Sequence, residues 1–250
     1  MLRTIAGVLV LIGLSGCRSA APVAPTPAPA PPAAAAALAP AATTPDSIKW
    51  VRDSAEYRAT VVQAYRMATA HVESEASTRQ KGTWAVILDA DETIINNSVY
   101  QLERARQGLG YSPESWNQWV RRREATPIPG AGAFLARVRA LGGRIAIVTN
   151  RLQSECADTA AVLERHALVY DALLCRQDGT PSDKNPRFEA VAAGRSSAGA
   201  SPLEVIAFVG DNVLDFPRLG QGIKERGEPG LALFGERYFV IPNPMYGSWQ

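Results

Sequence analysis

Trp84-Ala85-Val86-Ile87-Leu88-Asp89-Ala90-Asp91-Glu92-Thr93 decides how this chain is read. The unbroken apolar run from Trp84 to Leu88 has the length and composition of a strand buried on both faces. Two carboxylates, Asp89 and Asp91, follow it directly. A pair so placed can divide the labour of a hydrolysis. One attacks as a nucleophile; the other protonates the leaving oxygen and later deprotonates water. The same letters also suit an acidic loop capping a helix, because Asp and Thr favour such positions.

Working outward, Arg144–Thr149 and Val205–Gly210 read as further buried strands, with weaker candidates at Ala172–Cys175 and Tyr238–Ile241. Helical stretches lie at Ala131–Ala140, at Gln153–His166 and from about Pro186. A long amphipathic helix starts at Thr44-Pro45-Asp46, carries Tyr57, Val61, Ala64, Tyr65 and Ala68 on one side, and runs to about Ala76. Strands alternating with helices predict an α/β fold, a parallel sheet with helices on both faces. Ligands of such sheets bind beyond the carboxyl ends of the strands.

Each strand end carries suitable groups. Val148-Thr149-Asn150-Arg151 offers a small hydroxyl and the N–H groups of a helix start, an anion site, although Thr and Asn serve equally as helix caps. Gly210-Asp211-Asn212-Val213-Leu214-Asp215-Phe216 offers carboxylates that can meet Asp89 across the sheet end and hold a hard cation such as magnesium. Lys184, in Ser182-Asp183-Lys184-Asn185-Pro186, is the one lysine between Lys81 and Lys224. A fixed cation there can screen the repulsion between a phosphate and an attacking carboxylate.

This order resembles the haloacid-dehalogenase superfamily: D-x-D-x-T, a Thr/Ser turn, a lone Lys, then G-D-x-x-x-D. Within it the chain is similar to the class C bacterial acid phosphatases, the lipoprotein e(P4) family. The similarity takes in Ser54-Ala55-Glu56-Tyr57, Gln63-Ala64-Tyr65, Asp89–Thr93 with Asn97 and Tyr100-Gln101, and Trp116-Asn117-Gln118-Trp119-Val120. It continues through Pro129-Gly130-Ala131, Val148–Arg151, Val209–Phe216, Phe234-Gly235 and Pro242-Asn243-Pro244-Met245-Tyr246-Gly247-Ser248-Trp249. The resemblance implies Asp89 as nucleophile and Asp91 as acid/base. Mg2+ is then held by Asp89, the main-chain oxygen of Asp91, and Asp211, with Asp215 orienting the metal's waters from behind. Thr149, Asn150 and Lys184 then bind the phosphoryl oxygens. The implied activity is hydrolysis of small phosphomonoesters below neutral pH, nucleoside 5′-monophosphates and nicotinamide mononucleotide among them, through an aspartyl-phosphate. Two other readings stay open: an envelope lipoprotein that binds haem or another ligand without turnover, and a phosphotransferase. Family members run on past the Tyr-Gly-x-Trp segment, whereas this chain stops at Gln250, so the final packing element and a homodimer contact do not carry over directly.

Residues 94–128 are expected to form a small helical cap. Ser112-Pro113 starts a helix there that sets Trp116, Trp119 and Val120 on one face. Aromatic residues so spaced commonly serve a core. In the family, aromatics from the cap and the tail sandwich a nucleotide base; Trp116 and Tyr246 are the candidates here, with Trp119 and Tyr238 as substitutes.

The chain's beginning sets an address. Residues 1–16 have Arg3 and then a short apolar run, Ile5–Leu14, which fits a secretory signal better than a membrane span. Leu14-Ser15-Gly16-Cys17 resembles the lipobox of bacterial lipoproteins, in which the Cys is acylated; Arg18 in place of Asp then implies the outer membrane. Residues 17–44 are nearly all Ala and Pro, a semi-stiff tether that at about 3.1 Å per residue reaches roughly 80 Å. Residues 45–250 suffice for one α/β domain. The formal net charge of +2 and the lack of a basic run argue against a nucleic-acid partner. No Cys/His spacing suggests zinc, and neither His71 nor His166 sits in a motif. For Cys156 and Cys175 a disulfide and two buried thiols are both open.

Overall fold

The computed structural model describes residues 43–198 and 201–250. The signal, Cys17 and nearly all of the tether lie outside them. In chain order the described residues form α1 (Asp46–Asp53), α2 (Ala55–Ala76), β1 (Trp84–Leu88), β2 (Ile95–Asn96), α3 (Ser98–Arg106), α4 (Pro113–Arg122), β3 (Thr126–Pro127) and α5 (Ala131–Ala140). They continue with β4 (Arg144–Leu152), α6 (Cys156–Arg165), β5 (Ala172–Arg176), α7 (Asn185–Ala192), β6 (Glu204–Gly210), the single turn α8 (Gly227–Gly230) and β7 (Tyr238–Val240).

All of β1 is buried, which explains its unbroken apolar run. Its side chains alternate between two cores. Trp84, Val86 and Leu88 join a core shared with α2, α5 and α6, through Val61, Tyr65, Phe134, Leu135, Val162 and Leu163. Ala85 and Ile87 join a second core with Phe188 and Val191 of α7. The expected parallel sheet with helices on both faces is what forms. Its strand order is β5-β4-β1-β6-β7, and every pairing is parallel. From β1 the chain moves outward to β4 and β5, then returns to β6 and β7 on the other side. The direction therefore reverses at β1, and such a reversal opens a crevice at the carboxyl ends of the strands. Asp89, Asp91 and Asp211 follow strands at this edge, and Thr149 lies near the end of β4.

Between β1 and α5 the chain leaves the sheet. β2 and β3 pair antiparallel, and α3 and α4 are carried between them. Ser112 and Ser115 make reciprocal caps at the start of α4, with Pro113 in the first turn.

Two readings are revised and one open choice is settled. The helix expected from Asp46 to Ala76 is two helices, broken at Ser54. The Ser54 backbone is extended, and its hydroxyl accepts the Tyr57 N–H at 3.0 Å, so a short polar side chain has ended one helix and capped the next. β4 extends past Thr149 to Leu152, and the helix expected from Gln153 begins with a 3-10 turn before α6. Cys156 and Cys175 form a disulfide between the start of α6 and β5, with a Cα–Cα distance of 6.0 Å. This settles the choice that the sequence left open.

Candidate active site

Three carboxylates meet at the reversal point. Asp89 follows β1, Asp211 follows β6, and Asp215 comes from the 3-10 turn Val213–Asp215. One oxygen of each lies within 4.8 Å of the others. Gly210 makes this approach possible: a Cβ there would stand 2.3 Å from the Cβ of Asp215. Lys184, just before α7, is buried and donates to Asp89 Oδ1 and, at 2.6 Å, to Asp215 Oδ1. Asp215 Oδ2 accepts the Asn212 N–H at 2.9 Å. Asp211 Oδ2 accepts Asn243 Nδ2 at 2.7 Å, from the segment after β7.

Burial pushes the Asp89 carboxyl up to about 7 against the pull of Lys184, and the charges of Asp215 and Asp91 add to the rise. Burial, then Asp215 and Asp89, hold Asp211 well above the usual carboxylate range. Burial opposes charge on Lys184, yet Asp215 and Asp89 keep its ammonium above its ordinary value. Two buried carboxyls thus share one ammonium, with the half-buried Asp211 beside them. An all-oxygen donor set so short of positive charge fits a hard divalent cation.

Asp91 stands apart from this cluster. Its carboxylate accepts Asn97 Nδ2 at 2.8 Å and is gripped by the Arg151 guanidinium, with Nη2 at 2.8 Å and Nε at 3.0 Å from Oδ1. Arg151 also lies over the Trp116 ring, 5.3 Å from its centre. Thr149 is fully buried behind the turn, and its hydroxyl accepts the Arg151 backbone N–H at 3.1 Å. Asn150 faces the cleft, and its Oδ1 accepts Arg187 Nη2 at 2.6 Å.

All of this surrounds one cleft of about 690 Å³. Asp89, Asp91, Asn150, Lys184, Asp211 and Asp215 line it, as do Trp116 and Tyr246. Trp119 and Tyr238, the substitute aromatics, are packed in the two cores and form no part of its wall. The Tyr246 hydroxyl donates to Oε2 of Glu92, a buried residue in the left-handed backbone region with φ 53°. Burial, then the nearby Asp91 charge, pushes the Glu92 carboxyl up to about 8. Arg151, Arg187, Glu92, Asn243 and Tyr111 also belong at or beside the site, and the sequence reading gave none of them a role there. Arg151 had a signal, its place directly after Thr149-Asn150. Glu92 had one too, its place beside Asp91 in the deciding stretch, whereas Arg187, Asn243 and Tyr111 are brought in by the tertiary fold.

The sheet, the carboxylates at its reversal point and the buried lysine form the arrangement expected of the haloacid-dehalogenase type. A family model described as HAD superfamily, subfamily IIIB (Acid phosphatase) matches residues 14–249, and the chain belongs to that family. Among solved structures it is similar to the class C acid phosphatase from Bacillus anthracis, with 29% identity and a TM-score of 0.71, over 82% of this chain and 85% of that one. It is also similar to the Bacillus anthracis class C acid phosphatase with tungstate bound, at 28% identity and TM-score 0.71, with the same coverage. The chain is accordingly a phosphomonoester hydrolase of the acid phosphatase class.

Proposed function

We propose that this acid phosphatase depends on magnesium, passes through an aspartyl-phosphate, and takes nucleoside 5′-monophosphates and nicotinamide mononucleotide among its substrates. The observation that carries the reading is the division of the cleft. Asp89 lies with Lys184, Asp211 and Asp215 on one side, while Asp91 is turned away to Arg151 and Asn97. Two carboxylates two residues apart thereby sit in different environments and can do different work.

Asp89 attacks the phosphorus. Its new O–P bond forms as the ester P–O bond breaks, and Asp91 protonates the departing oxygen. Asp91 then takes a proton from water as that water attacks the aspartyl-phosphate, which releases phosphate and restores Asp89. Thr149, Asn150 and Lys184 hold the phosphoryl oxygens. Asp89, Asp211 and the main-chain oxygen of Asp91 would hold the magnesium ion, with Asp215 behind them. Bound there, magnesium supplies the positive charge that lets an anionic ester and an anionic nucleophile approach. Trp116 and Tyr246 supply aromatic surface at the cleft for a base.

Phosphate release from a panel of monoesters, with and without EDTA, tests this directly. Asp89→Asn should lower turnover on the order of 10⁴-fold or more while the protein stays folded. Full activity in that variant, or after exhaustive chelation, would remove the nucleophile or the metal from the scheme. We also place the protein at the outer membrane through a lipid on Cys17. Cys17→Ser should release it from membranes with its phosphatase activity intact, and a diacylglycerol should appear in the mass of the N-terminal peptide; an unlipidated mature N-terminus would refute the anchor.

A further inference from the structure

The two oxygens of Asp91 are held unequally. Oδ1 accepts three N–H groups: Asn97 Nδ2 at 2.8 Å, Arg151 Nη2 at 2.8 Å and Arg151 Nε at 3.0 Å. Oδ2 receives only the far half of the forked contact from Arg151 Nε, at 3.1 Å. A carboxylate oxygen has about two lone-pair sites, so Oδ1 is saturated and Oδ2 is not.

The donors themselves cannot turn away. Arg151 is 3% exposed, and its Nη1 donates to Thr159 Oγ1 at 3.2 Å while Nη2 also reaches Asn97 Oδ1 at 3.1 Å. Asn97 is fully buried; its Oδ1 also accepts Trp119 Nε1 at 2.8 Å, and its backbone N–H donates to Glu92 Oε1 at 2.6 Å. The amide therefore has one orientation: its oxygen is fixed by the indole and the guanidinium, and its NH₂ donates to Asp91 at 2.8 Å and to Glu92 Oε2 at 3.3 Å. Both arms of the clamp are anchored by groups outside the reacting set, two of them (Trp119 and Thr159) on the helices α4 and α6.

We propose that Arg151 and Asn97 are positioning residues that lock the Asp91 carboxyl so that Oδ2 alone carries the proton to the leaving oxygen. The inference rests on the reading of Asp91 as the acid. As the Asp89 O–P bond forms, the electron pair of the breaking P–O bond passes to the ester oxygen. That oxygen takes the proton from Asp91 Oδ2 and leaves as the alcohol. Asp91 is left as a carboxylate with Oδ1 still bound by its three donors.

A positioning role of this kind predicts a dependence on the leaving group. Nitrophenolate departs without a proton, whereas an alkoxide does not. The measurement is single-turnover release of the leaving group from 4-nitrophenyl phosphate and from glycerol 2-phosphate, by the full-length protein with magnesium. Asp91→Asn should slow the alkyl ester by about 10²–10⁴-fold, and the aryl ester far less. Arg151→Met should show the same pattern, losing at least about 10-fold more on the alkyl than on the aryl ester. Arg151→Lys, which keeps the charge but not the fork, should show the split in smaller measure, and it decides the matter if circular dichroism shows that the Met variant does not fold. Equal losses on both esters in the folded Arg151 variants would overturn the proposal and make the arginine a phosphate contact or a purely structural group. No split in Asp91→Asn would instead remove Asp91 as the acid, and the proposal would fall with it.

Discussion

Gly210 shows how tightly single residues are constrained at the catalytic edge. The Asp215 side chain occupies the space a Cβ would need, and Asp215 in turn holds Lys184 and the Asn212 N–H. Gly210→Ala must displace Asp215. Overpacking of this kind costs about 1–3 kcal/mol, and the shift should also reach Lys184 and lower turnover. Thermal melting and phosphate release, measured together, check both effects; an alanine variant with wild-type stability and rate would mean that the contact is slack. Lys184 is constrained for a different reason. Among the described residues it is the one ammonium bonded to two buried carboxylates, and removal of one partner from a buried ion pair costs several kcal/mol because charge is left without compensation. Glu92 adopts a left-handed backbone that a side chain rarely takes, and it is tied to both Asn97 and Tyr246. Strain of this sort persists only where the surroundings hold it.

Among the elements, the β4–α6 connection has the most to do. The end of β4 presents Asn150 and Arg151 to the cleft, and the connection then enters α6, whose first residue, Cys156, is bonded to Cys175 on the edge strand β5. The bond closes a loop of 19 residues in sequence separation. A closed loop of that length takes about 3 kcal/mol of freedom from the unfolded chain. The double variant Cys156→Ala, Cys175→Ala should therefore unfold at lower urea, and a reductant should shift the wild type by a similar amount. A urea midpoint unmoved by either change would mean that the bond contributes nothing to stability. α1 and α2 teach a different lesson. The apolar spacing of α2 was legible, but the break at Ser54 was not, because periodicity says nothing of a hydroxyl that competes for the backbone N–H groups. The strands were legible because a sheet covered on both faces demands apolar residues without interruption. The two-residue strands β2 and β3 left no such mark, since so short a pair has no period to read.

The molecule as a whole concentrates buried carboxyls at one end, and its stability should respond to pH accordingly. Glu92 sits at about 8 in the folded protein, against about 4.3 for an unperturbed glutamic acid. Between those values the folded form keeps the proton and the unfolded form does not, so unfolding becomes easier as pH rises. Its contribution is complete below about pH 4 and is lost as pH passes 8. Asp89, raised to about 7, acts in the same direction while no cation is bound. The melting midpoint of metal-free protein should therefore fall between pH 5 and 8.5, and Glu92→Gln should flatten that slope. An unchanged slope in the variant would show that Glu92 is not buried as described. Added magnesium should raise the midpoint most at the upper end of that range, where the carboxyls are most strongly charged.

The sequence by itself determined the sheet, its parallel sense and the residues at its strand ends. Buried strands, helix periods and chemically active groups just beyond strands are local patterns, so Asp89, Asp91, Lys184, Asp211 and Asp215 could be named one by one. Only the tertiary structure decided which of them share an oxygen cluster and which is turned away. That depends on side chains distant in sequence: the guanidinium of Arg151 on Asp91, Asn243 on Asp211, and Tyr246 on Glu92. It also joined Cys156 to Cys175, and it sent Trp119 to the core and Trp116 to the cleft, although both lie on one helix. Hydrogen bonds across long separations carry no period and no fixed spacing, and so only the folded chain reveals them.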